Sequence, residues 1–173
     1  MTNRSHRMAV LLVLVAAARA AGEEPTPIPT TEAAQMIALD PETMEFTTIP
    51  NMPSCSTGAI LRGDPRTGPS LVLLKLATGC RVPWHWHTSN EDMVVISGQG
   101  IISMKDGPPL KFVPGAFASL PKNHTHQASC HRECLLLASS DAAFDIHYVG
   151  ADGEEISADK ALGKPTQTKG GQQ

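Results

Sequence analysis

The chain carries no strong excess of charge: 14 Lys and Arg stand against 17 Asp and Glu in 173 residues, a formal net charge of −3 with histidine neutral. No basic stripe or run breaks that balance, so the electrostatic footprint of a nucleic-acid binder is missing. No apolar run reaches the about 20 residues that a bilayer span needs, and no internal repeat marks a solenoid or a propeller. Tryptophan is scarce, and both copies, Trp84 and Trp86, fall in one stretch. What is present is the length of one domain and an apolar content of 41%, enough to build a real core rather than a disordered chain.

The N-terminus has its own character. Arg4 and Arg7 precede the short apolar run MAVLLVLVAAA, and Ala18 and Ala20 follow as an A-x-A exit. A positive start, a short apolar stretch and small residues at its end make a signal peptide over residues 1–21, cleaved after Ala20 or Ala21. The expected location is therefore secreted or periplasmic, with no membrane span after cleavage. Residues 22–43 read as a Pro-rich spacer, GEEPTPIPT, and a short helix in TEAAQMIALD capped by Thr31. Export changes how Cys55, Cys80, Cys130 and Cys134 are read. Four cysteines in an oxidising compartment allow three disulfide connectivities. Cys130 and Cys134 flank only His-Arg-Glu, the expected tip of a hairpin. The favoured pairing is 130–134 with 55–80, the other reading being buried free thiols.

From residue 44 to 150 the signals are those of strands. SLVLLKLAT sets Val72, Leu74 and Leu76 on one face and Lys75 on the other. DMVVISGQGIISMKDG reads as two short β-rich runs around Gly98-Gln99-Gly100, with a turn at Asp106-Gly107. ECLLLASS follows, then AFDIHYV, where Phe144, Ile146 and Tyr148 alternate with Asp145 and His147. Many short strands with little helix predict a sandwich or barrel. Residues 151–173 read as a C-terminal tail with a helical turn near SADKALG.

The chemistry concentrates in PWHWHTSNE, residues 83–91. Successive side chains of a strand alternate faces, so His85 and His87 share one and Trp84 and Trp86 the other. Thr88-Ser89-Asn90 is turn-prone, and a reversal there returns Glu91 to the histidines. Two imidazoles and a carboxylate make a facial set for a divalent ion. Later, in GAFASLPKNHTHQASC, His124 and His126 repeat the one-residue spacing after a turn at Pro121-Lys122-Asn123.

These two blocks resemble the motifs of the cupins. The first cupin motif is matched with every spacing kept by Gly79, His85, His87, Glu91 and Gly98, and the second by Gly115, Pro121 and His126. Asn123 stands where the family has glycine, and Cys130 where it has asparagine. Asparagine tolerates the left-handed conformation of such a turn. The resemblance covers roughly residues 70–150. It implies an all-β fold, a cupin-type antiparallel jelly-roll β-barrel with short peripheral helices, and often a homodimer. It also implies one bound metal, with His85, His87, Glu91 and His126 as ligands. His126 is preferred over its rival His124, which is expected at the rim, hydrogen-bonding to a ligand or acting as acid or base. His131 and His147 read as surface or structural residues.

Such donors suit one divalent transition metal: Mn, Fe, Ni, Co, Cu or Zn. The reading that follows is a metal-dependent enzyme, dioxygenase-like, lyase or isomerase, acting on a small organic molecule. No acid–base pair is evident. A non-catalytic metal or small-ligand binding or sensor module is therefore the alternative, and a structural barrel with incidental histidines is a third reading.

Overall fold

The structure, a computed structural model, describes residues 39–163. The signal peptide at 1–21, most of the segment expected to hold the Thr31-capped helix, and residues 164–173 lie outside the described residues. The unit described here is the one that begins at Ala38.

Ten strands form among the described residues: β1 (Thr47–Thr48), β2 (Ser56–Gly63), β3 (Ser70–Leu76), β4 (Arg81–Trp86), β5 (Glu91–Met104), β6 (Leu110–Phe112), β7 (Phe117–Leu120), β8 (His126–Ser140), β9 (His147–Val149) and β10 (Glu155–Ile156). One short helix, α1 (Ala158–Ala161), follows, with the Ser157 side chain accepting from the Lys160 amide. Helix is nearly absent because β-branched and leucine-rich runs alternate at a period of two and are cut by turns.

Two long strands organise the molecule. β5 and β8 pair antiparallel from Glu91 opposite Ser140 to Met104 opposite His126. Each half of this pair has different outer neighbours. The first half of β5 pairs with β7 and the last half of β8 with β3; the last half of β5 pairs with β6 and the first half of β8 with β4. Two sheets result, β1-β2-β3-β8-β5-β7 and β6-β5-β8-β4-β9-β10, sharing the bent pair. This is the all-β antiparallel jelly roll that the two sequence blocks imply.

The bend corrects two local expectations. The runs on either side of Gly98-Gln99-Gly100 are one continuous strand, and residues 131–133 lie within β8 instead of at a hairpin tip. The register slips between Ser97 and Gly100, where β8 carries more residues than β5. Gly98 makes the close approach feasible. Its φ is 95°, and a Cβ there would sit 2.2 Å from the Glu133 carbonyl oxygen. The Cys130–Cys134 disulfide closes the bulge, with 6.0 Å between Cα atoms that an extended strand would hold roughly 13 Å apart. The second disulfide joins Cys55 to Cys80, completing the favoured pairing. It closes a separation of 25 residues, for which the chain-entropy model gives about 3–4 kcal/mol.

The core lies between the sheets. Leu74 and Leu76 are buried as the alternation predicts, while Lys75 on the opposite face places its Nζ 4.2 Å from the centre of the Phe46 ring. Met93, Val95 and Ile102 from β5, Phe112 from β6, Leu120 from β7 and Leu136 from β8 complete it. The strand expected in AFDIHYV is shorter than its alternation suggests. Only His147–Val149 is strand, and residues 141–146 cross from one sheet to the other. That crossing is tied down by Phe144 N–H donating to the Pro65 carbonyl at 2.7 Å and by the carboxylates of Asp141 and Asp145.

Candidate metal centre

β4 and β8 run side by side with His85 directly opposite His126. His87 follows at the end of β4, and the turn to β5 brings Glu91 in at the start of that strand. One ring nitrogen from each of His85, His87 and His126 lies within 4.8 Å of the other two, and all three residues are buried. Three histidines in this arrangement could hold a metal ion. Glu91 approaches the same point. Its Oε2 is 3.6 Å from His87 Nε2 and 4.0 Å from His126 Nε2, and its side chain is only 12% exposed.

The rings are oriented from behind. Each donates from Nδ1 to a main-chain carbonyl: His85 to Pro83 at 2.6 Å, His126 to His124 at 2.9 Å, and His87 to Asp145. A carbonyl only accepts, so the proton sits on Nδ1 and the lone pair on Nε2. Those Nε2 atoms face the common point, and His87 Nε2 is buried with no hydrogen-bond partner. An orphaned buried nitrogen costs on the order of 1–3 kcal/mol, and three converging lone pairs with a carboxylate form the donor set that a borderline divalent cation satisfies. The residues therefore fit a metal. Burial, then the neighbouring His126 and His87, pushes the His85 pKa well below its ordinary value. Burial likewise takes His126 down to about 4. Burial raises the Glu91 pKa, against the pull of His87. Low basicity at His85 and His126 keeps their Nε2 atoms unprotonated and ready as donors over the physiological range.

The remaining histidines separate cleanly. His124 is exposed and meets the centre through its carbonyl, not its ring. His131 is exposed at the bend. His147 stacks flat on Trp86, with 4.0 Å between ring centres, and bonds to Glu155 and Asp145. Trp84 lines a shallow groove with Pro83 and Val149, away from the three rings.

Sequence spacing did not disclose what holds the Thr88–Asn90 turn. Asp145 accepts from the Thr88 amide and hydroxyl at 2.8 and 2.6 Å. Asp141 accepts from the Asn90 amide and side chain at 2.9 and 2.6 Å. Asn90 Oδ1 in turn accepts from the Lys122 amide, and Asn123 N–H donates to the His87 carbonyl. Asn123 takes the left-handed conformation, φ 62°, as expected where the motif has glycine. These partners lie more than 30 residues from the turn they hold; the one local signal was the density of Asp and Asn in loop segments.

A cavity of about 220 Å³ opens between the sheets, with the three histidines and Glu91 on its wall. Fold and centre together define a cupin: a bent pair of strands shared by two sheets, with histidines from two separate blocks meeting inside. The chain belongs to the family of the ChrR cupin-like domain, whose profile matches residues 34–143. No curated protein matches it by sequence. Among solved structures it is similar to the polyketide cyclase RemF from Streptomyces resistomycificus, at 16% identity and a TM-score of 0.58 over 67% of this chain and 87% of that one. An RmlC-like cupin from Shewanella frigidimarina aligns at 16% identity and a TM-score of 0.52, over 64% of this chain and 92% of that one. The DMSP lyase DddQ from Ruegeria pomeroyi aligns at 16% identity and a TM-score of 0.50, over 58% and 57%. Identities this low carry the fold and nothing more.

Proposed function

We infer that this chain is an exported, metal-binding cupin that holds one divalent transition ion through His85, His87, Glu91 and His126 and acts as a metal-dependent enzyme on a small organic molecule. The observation that carries this is the set of three buried imidazoles, each with Nδ1 committed to a carbonyl and Nε2 directed at its neighbours. Bound there, an ion supplies Lewis acidity or, for a redox metal, electrons. The chain's own residues hold each imidazole by its Nδ1, present the nearly buried Glu91 carboxylate and line the approach with apolar side chains. The dioxygenase-like, lyase and isomerase readings share these requirements, and the similar cyclase and DMSP lyase structures, which share the fold alone, do not select among them. Export rests on the N-terminal pattern and is supported by two disulfides with no free cysteine among the described residues. Among these residues no helix is long and apolar enough to cross a membrane. A homodimer belongs to the same reading. Val94 and Phe117, directly opposite each other on β5 and β7 and both exposed, support it.

One observation favours the alternative of a non-catalytic binding or sensor module. Apart from the histidines and Glu91, Arg66 is the one titratable side chain among the described residues lining the cavity, and it is bonded to Asp64. Elemental analysis of protein purified without added metal, repeated on His85→Ala, tests the centre: about one equivalent in the parent and none in the variant is expected. Metal-dependent turnover or oxygen uptake that disappears in Glu91→Ala selects the enzyme. Tight metal binding without turnover across a broad panel selects the module.

A further inference from the structure

The cavity's walls are as informative as its ligands. Leu74, Val82, Met93, Ile102, Leu136 and Phe144 line it, drawn from both sheets and from the 141–146 crossing. The Phe144 ring stands 5.0 Å from that of His87, so an apolar surface begins directly beside the donor atoms. Among the described residues the only cationic side chain in the lining is Arg66, which donates from Nε and Nη2 to both oxygens of Asp64 at 2.9 and 2.8 Å and is 84% exposed. No cation is therefore left in the lining to meet a charge carried away from the centre. At about 220 Å³ the space also falls below the roughly 300–1,000 Å³ of drug-sized sites.

We propose that this cavity takes a compact molecule with one oxygen-donor end, which meets the His85–His87–Glu91–His126 centre, and an uncharged apolar body lying against Leu74, Met93, Ile102, Leu136 and Phe144. The assignment deepens the function proposed above and rests on that reading for the donor end alone. A single anionic oxygen is tolerated there, because a divalent ion beside one carboxylate leaves net positive charge. A second charge has no countercharge along the body, and a row of hydroxyls laid against these five side chains meets no polar group, since the lining's own hydroxyls, on Thr47, Thr48, Ser70, Ser139 and Ser140, lie outside that set. Each buried polar group without one costs roughly tenfold in affinity or more, while each methylene placed against the walls gains up to about fourfold. Phosphorylated, polycarboxylate and sugar-like molecules are thereby disfavoured, and short-chain or small-ring compounds with a terminal carbonyl, hydroxyl or carboxylate are favoured.

The test holds the donor end constant and varies the body. Hexanoate, adipate and gluconate share a terminal carboxylate on six carbons, and each is titrated calorimetrically into the full zinc-loaded chain. Hexanoate is expected to bind at least about tenfold more tightly than either of the others. Equal affinities, or a preference for gluconate or adipate, overturn the assignment. If zinc is not taken up, or His85→Ala takes it up equally, the metal reading fails and the body is judged on metal-free protein with 1-hexanol and myo-inositol. A saturable shift of the Met93 methyl resonance with 1-hexanol and none with myo-inositol supports the apolar cavity. No shift with 1-hexanol, or equal shifts with both, sinks it.

Discussion

His87 is held from two directions, and the pair of contacts shows how a loop residue can govern a donor it never touches with its own side chain. The Asp145 carbonyl fixes the His87 ring from behind, while the Asp145 carboxylate grips Thr88, the next residue in the chain. Removing the carboxylate leaves the carbonyl in place but frees the segment that aims it. Asp145→Ala is expected to weaken metal affinity about 10–100-fold, measured by chelator competition, with Asp145→Asn losing less because its amide oxygen still accepts from the Thr88 amide. Unchanged affinity in Asp145→Ala would remove the residue from the centre's support. His147 supplies a pH-dependent neighbour to this contact. Partial burial lowers its pKa, but the hydrogen bonds its ring donates to the Glu155 and Asp145 carboxylates, and their charges, more than offset that, and the net direction is up. A raised folded pKa means that the contribution to stability is fully present below the unfolded value of about 6.5 and is lost as pH rises through the folded one. The stability gap between the parent and His147→Gln, from urea unfolding, is therefore expected to be larger near about pH 5.5 than near about pH 9. A gap that grows with pH would contradict the Glu155 and Asp145 contacts.

The elements that matter most are the two bent strands, and glycine meets two kinds of demand, one in the turn between β3 and β4 and one on β5 itself. Gly79 and Gly98 both have positive φ, 81° and 95°. A Cβ at Gly79 meets nothing within 4 Å, whereas one at Gly98 meets the Glu133 oxygen at 2.2 Å and the Cys134 Cα at 2.6 Å. Gly79→Ala should cost about 1–2 kcal/mol for the left-handed backbone alone. Gly98→Ala should cost roughly 3 kcal/mol or more, because backbone must also move. Equal midpoint shifts on denaturant unfolding would mean that the strands do not approach so closely at the bend. The same bend marks a limit of sequence reading. Gly98-Gln99-Gly100 has the composition of a turn, and whether a chain reverses or only folds over depends on its partner strand, which local residues do not encode. Cys130 and Cys134 mislead in the same way: four residues apart, they suit a hairpin tip, yet a bulge in a continuous strand meets the same Cα separation. By contrast, the convergence of His85, His87 and His126, with Glu91 beside them, was legible because strand alternation and the motif spacing translate directly into direction. Asp141, Asp145 and Phe144 were not, since their roles depend on a crossing that is irregular in backbone and lies more than 50 residues from the turn it supports.

For the molecule as a whole, the candidate centre is also a junction between sheets. His85 and His126 face each other across β4 and β8 in one sheet, while Glu91 begins the half of β5 that pairs with β7 in the other. An ion bound by both therefore ties the sheets together at the end away from the Gly98 bend, where the strands are joined only through the 141–146 crossing and the turns around it. Because the donors converge only in the folded state, binding shifts the folding equilibrium by mass action. Free metal at 100 times its dissociation constant contributes about 2.7 kcal/mol, or a rise of about 5–10 °C in Tm for a domain of this size. Glu91→Gln, which keeps a neutral oxygen in place of the carboxylate, is expected to retain part of that rise. His85→Ala should lose nearly all of it, since only two imidazoles then remain. A scanning calorimetry series on metal-free protein with zinc added stepwise reads the parent and both variants. An equal rise in His85→Ala would place the bound ion elsewhere on the chain, and the two sheets would then owe their closure to the apolar core, the Cys55–Cys80 bridge and the hydrogen-bonded 141–146 crossing.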